Sequence, residues 1–187
     1  MSSRDIYDAC QHGDIEQLET WKAEGKLPDL MDEFDTKSQW FPHEIAIRHD
    51  NLDVLKWLVN DSGQKIDLTV SDQRSLINAV AYARTEIMRW LVLESKQPVL
   101  VRLDENDTDW YKSDHYNNDE ITTFLEAVNN LHVAGVTIDQ IQQTPEMAKL
   151  VESGLLSAEL VARLDENDIK LATGASTATT ARKTRRF

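Results

Sequence analysis

The side chains best suited to chemistry crowd into residues 102–120, RLDENDTDWYKSDHYNNDE, where Asp104, Glu105, Asp107, Asp109 and His115 lie close in sequence. Calcium binding is the first chemistry to test. Counting from Asp104, a twelve-residue calcium loop has Asn106 at its third position. Its sixth position is Asp109, where glycine must make the sharp turn, and its twelfth is His115, where a bidentate glutamate belongs. A start at Asp107 fails in the same way, with Lys112 and Asn118 at those positions. The segment therefore reads as a solvated acidic loop. A catalytic or inhibitory role for it requires folding to bring two or more of these groups into one cleft.

Other candidates are sparser. The histidines are His12, His43, His49, His115 and His132, and none has a second strong ligand at metal-binding spacing. Cys10 is the single cysteine, which excludes an intramolecular disulfide and a cysteine-based zinc site. It falls in the apolar register of a helix-like stretch, so a buried, inert thiol is expected. The chain contains no glycine-rich phosphate loop, no G-x-S-x-G elbow and no H-E-x-x-H motif. The reading is a non-catalytic protein with no metal and no cofactor.

Charge narrows the partners. The formal net charge is -13 over 187 residues. The last fifteen residues hold Arg182, Lys183, Arg185 and Arg186 and no acid, which leaves 16 basic and 33 acidic residues elsewhere, a net of -17. Such a body repels nucleic acid and anionic membranes. Nucleic acid could engage only the basic tail. No apolar run is long enough to span a bilayer, and none resembles a signal peptide. With one cysteine, a reducing, cytoplasmic setting is expected.

The elements that must position these side chains come from a repeat. ACQHGDIEQLETW from Ala9, AIRHDNLDVLKWL from Ala46 and AVAYARTEIMRWL from Ala79 are copies of one pattern, with starts 37 and then 33 residues apart. A period near 33 marks stacked helix pairs, none of which can bury its apolar face alone. Within a copy, apolar residues recur at spacings of three and four, as in Val54, Leu55, Leu58 and Val59. Trp57 and Trp90 occupy equivalent sites and are expected in the core.

These features resemble the ankyrin-repeat family, and the segment that matches best is FPHEIAIRHDNLDVLKWLV, residues 41–59. Pro42 fits the proline that opens the first helix of a unit, and Ala46 the family alanine. Gly13-Asp14-Ile15-Glu16 fits the turn into the second helix, and Ala83 stands where glycine is usual. The chain departs from the family at Glu44 and Ile77, where a histidine is typical, and in the finger segments DTKSQWF and TVSDQRS, which lack glycine. Tetratricopeptide repeats, with a period of about 34, are the competing solenoid.

The resulting expectation is an all-α fold: an ankyrin-like helical-hairpin solenoid with a C-terminal helical cap and a disordered tail. Residues 1–100 form the repeats and 101–120 an acidic loop. Residues 121–171 form a divergent repeat or cap, in which Gly135 interrupts the second helix, Thr144 caps a helix and Ser157 another. Residues 172–187 form the disordered basic tail. The resemblance implies an adaptor, monomeric alone, that binds a partner protein of unknown identity through its concave face. That face would comprise Asp35, Lys37, Gln39, Trp40, Arg48, His49, Asp72, Arg74 and Tyr82. Small divergent members of this style also occur as effectors of intracellular bacteria and in large viruses, which would place the chain in a host cytosol.

Overall fold

A computed structural model describes residues 3–32, 40–97, 99 and 119–154. Among the described residues the fold is all-α, with no strand. The acidic loop and its candidate ligands, Ser157, and the basic tail lie outside the described residues, as do Asp35, Lys37 and Gln39.

The three copies form three helix pairs. These are α1 (Ser3–His12) with α2 (Ile15–Ala23), α3 (Pro42–Arg48) with α4 (Leu52–Asn60), and α5 (Val70–Ala81) with α6 (Thr85–Leu93). The first helices pack in series, α1 on α3 and α3 on α5, while α2 packs on α4. Ala9, Ala46 and Ala79 are buried at these contacts, where a larger side chain would hold the helices apart. Trp57 and Trp90 are each 4% exposed, so both belong to the core, as their spacing predicts.

One backbone device makes every turn within a pair. The residue four after the recurring alanine adopts a left-handed conformation, with φ of 78° at Gly13, 64° at Asp50 and 53° at Ala83. The next N–H then donates back to the alanine carbonyl, from Asp14 to Ala9 at 2.9 Å, Asn51 to Ala46 at 2.9 Å and Arg84 to Ala79 at 2.7 Å. This closes the helix end and satisfies an orphan carbonyl. Only Gly13 adopts the conformation without a Cβ penalty. A Cβ there would also lie 3.1 Å from Asn51 Oδ1.

The same device ends α7 (Asp119–Val133): Gly135 has φ of 86° and Val136 N–H donates to the Leu131 carbonyl at 3.0 Å. Gly135 therefore closes α7, and the next helix starts only at Ile138. The chain continues into α8 (Ile138–Gln143), which packs on α6, and α9 (Pro145–Glu152), which packs on α7 and α8. Thr137 caps α8 through a reciprocal pair with Gln140, a T-x-x-Q signature readable in the sequence. Thr144 precedes α9 and is buried, but its side chain makes no capping bond, and Pro145 starts the helix.

Two sets of side-chain hydrogen bonds tie neighbouring pairs together. At one end, Ser62 and Ser95 donate to carbonyls of the helices they follow, Leu58 at 2.6 Å and Leu91 at 2.7 Å, and each accepts the N–H of the glutamine two residues on. Those glutamines reach back to the preceding unit. Gln64 accepts from Leu30 N–H at 2.9 Å and donates to the Pro28 carbonyl at 2.7 Å. Gln97 accepts from Leu68 N–H at 2.9 Å and donates to the Ile66 carbonyl at 2.8 Å. The amide thus replaces a backbone partner in both directions. At the other end, Asn51 donates to the Cys10 and Gln11 carbonyls at 2.8 Å, and Arg84 donates to the Arg48 carbonyl at 2.8 Å. Asn51 and Arg84 are equivalent positions in the repeat, as are Gln11 and Arg48.

Candidate functional site

Among the described residues, the fold brings together three of the expected contact residues along α3 and the end of α5. Trp40 lies just before α3, Arg48 is the last residue of α3, and Tyr82 caps the end of α5. The Arg48 guanidinium carbon lies 5.2 Å from the Trp40 ring centroid and 5.3 Å from that of Tyr82. Both distances fall in the range where a cation is attracted to the face of a ring. Arg48 is exposed, and Trp40 is half-buried against the core. Among the described residues no acceptor bonds the Arg48 guanidinium, so its donors face solvent while the rings fix its direction.

A second cation, Arg84, is tied to the same residue. Arg84 holds the Arg48 carbonyl through both Nε, at 3.2 Å, and Nη2, at 2.8 Å. Asp50 offsets Arg84 at 3.7 Å. His49, at the end of α3, sits close enough to these groups for its pKa to be held below the ordinary histidine value, first by burial and then by Arg48, Arg84 and His12. His12, at the equivalent position of the first pair, is anchored by a 2.7 Å contact from Nδ1 to the Asp8 carbonyl. The result is a cationic and aromatic spot on an acidic protein.

The remaining expected contact residues have other surroundings. Arg74 points its Nε at Glu44 Oε1, 3.6 Å away, so its charge faces a carboxylate that is fully buried. Glu44 also accepts the Phe41 N–H at 2.9 Å, which secures the start of α3 where Pro42 supplies no donor. This explains a glutamate where the resemblance expects histidine. Asp72 falls within α5.

Beside Glu44, His43 is 1% exposed and stacks on Phe41 with centroids 5.4 Å apart. Neither ring nitrogen has a hydrogen-bond partner among the described residues. Burial pushes its pKa down to about 4, only partly opposed by Asp67. Cys10 is buried and burial pushes its thiol up to about 12, which keeps it protonated and unreactive at neutral pH. Among the described residues no three His, Cys, Asp or Glu side chains converge on a metal-sized position, and no helix is long and apolar enough to cross a membrane.

The sequence reading placed His12 and His49 at equivalent repeat positions toward the contact face but missed Arg84 beside them. It also missed the glutamine ties, for which D/E-S-x-Q recurring at Asp61–Gln64 and Glu94–Gln97 was an available signal. No protein-family model matches the chain, and no curated protein or solved structure shows significant similarity to it.

Proposed function

We propose that the chain is a non-catalytic interaction module, an adaptor built as an ankyrin-like stack of helical hairpins, that binds a partner protein through the face carrying Trp40, Arg48 and Tyr82. In this reading α7 to α9 form a divergent fourth unit that closes the stack. The observation that carries it is the arginine held over two aromatic rings with its donors unspent. Tryptophan, tyrosine and arginine are the residue types that dominate binding energy at protein interfaces. An arginine already oriented by packing also loses less freedom on binding than a free one.

The test is a quantitative pull-down with the full chain and with Trp40→Ala/Arg48→Glu. The proposal expects one dominant captured protein to be lost with the double variant while its urea unfolding stays cooperative. Equal capture by both proteins would remove this face from the function.

A further inference from the structure

From the arrangement of Arg48, Arg84, His12 and His49 around the Trp40 and Tyr82 rings, we infer that the face recognises an acidic peptide segment of its partner, gripping a carboxylate in the Arg48 fork. This rests on the interaction-module reading and adds the chemistry of the ligand.

The guanidinium is planar and carries paired N–H donors matched to the two oxygens of a carboxylate. At Arg48 those donors are exposed, are bonded to no described acceptor, and are aimed by rings at 5.2 and 5.3 Å. The guanidinium lies over both rings, and its N–H donors are bonded to no described acceptor. Around it lie a second guanidinium and two imidazoles. Arg84 bonds the Arg48 carbonyl, His49 follows in the chain, and His12 lies at the neighbouring helix end. Asp50 is matched to Arg84, and Glu44 is buried against Arg74. Burial first, and then Arg48, Arg84 and His12, lower the His49 titration. Trp40 and Tyr82 would contact apolar parts of the same peptide.

Long-range charge opposes this choice, which makes it testable. A body of net charge -13 attracts basic peptides by field alone. Acidic selectivity can arise only from short-range contacts strong enough to reverse that bias.

The full chain is panned against a random short-peptide library displayed on phage, in parallel with Arg48→Glu and Trp40→Ala/Arg48→Glu, each checked by urea unfolding. The inference expects wild type to enrich peptides with adjacent Asp or Glu. Synthetic versions of these peptides should bind Arg48→Glu roughly tenfold or more weakly. Acidic peptides that bind Arg48→Glu equally well would overturn the inference. Enrichment of basic or uncharged peptides that still depend on Trp40 and Arg48 would overturn the acidic ligand and leave the interaction face standing. Peptides indifferent to the double variant, or no enrichment at all, would overturn both.

Discussion

The two ends of the helix pairs are built from the same repeat but dispose of their polar groups differently. At the Ser62/Gln64 and Ser95/Gln97 end, each glutamine amide uses its donor and its acceptor on the backbone of the preceding unit. One N–H and the carbonyl oxygen of each amide are thus engaged inside the molecule. At the helix-end side, Asn51 and Arg84 again tie unit to unit, yet Arg48 keeps a complete set of unspent donors above Trp40 and Tyr82. An internally satisfied end can only hold the molecule together. An end with oriented, unsatisfied groups can also hold something else. In the proposed function, that difference separates groups that stabilise from groups that recognise a partner.

The largest expected effect lies between the two ends, in the shared core. Trp57→Ala or Trp90→Ala should cost roughly 3–5 kcal/mol by urea unfolding, since each ring is almost wholly buried and a cavity would remain. A change near zero would move these rings out of the core and blur any division of roles.

Next comes acid sensitivity at His43. Its folded pKa of about 4 lies below the ordinary value of 6.5. Below pH 6.5 the unfolded chain takes up a proton that the folded chain refuses until about pH 4. Stability should therefore fall as pH drops through that window, by about 3 kcal/mol at most. His43→Leu should flatten this part of the pH profile. A profile unchanged by His43→Leu would show that the imidazole is not buried in the neutral form.

Gln97→Ala probes the satisfied end. It strands the Leu68 N–H and the Ile66 carbonyl, and the expected loss is about 1–3 kcal/mol. The smallest effect is a gain. Ala83 holds φ of 53°, so Ala83→Gly should stabilise the chain by about 1 kcal/mol or less, read as a higher urea midpoint. A loss at Ala83→Gly would mean that the turn is not set by backbone strain.

Much of the helical scaffold was legible because it depends on local spacing. Ala46, Trp57 and Leu58 recur at Ala79, Trp90 and Leu91, and periodicity alone assigns them to buried faces. Gly135 was misread because a glycine after an apolar helix does not say which helix of a pair it closes. The site was only partly legible. Trp40, Arg48 and Tyr82 were named from the resemblance. Their convergence depends on α3 packing against α5, which brings together residues 8 and 34 positions apart in the chain. Arg74 has different surroundings. It was expected on the contact face, and the fold sets it against Glu44, a pairing across 30 residues that no local pattern encodes. The glutamine ties were visible as a repeated tetrapeptide, but a side-chain amide standing in for backbone is recognisable only once the neighbouring unit is in place.

The most direct test of the division between the two ends is urea unfolding of Arg48→Glu beside Gln64→Ala/Gln97→Ala. Arg48→Glu gives up two exposed cation–π contacts but no hydrogen bond of its guanidinium and should cost about 1 kcal/mol, while the double glutamine variant should lose roughly 2–6 kcal/mol. An Arg48→Glu chain destabilised as much as the glutamine variant would make Arg48 part of the framework and contradict its assignment to recognition.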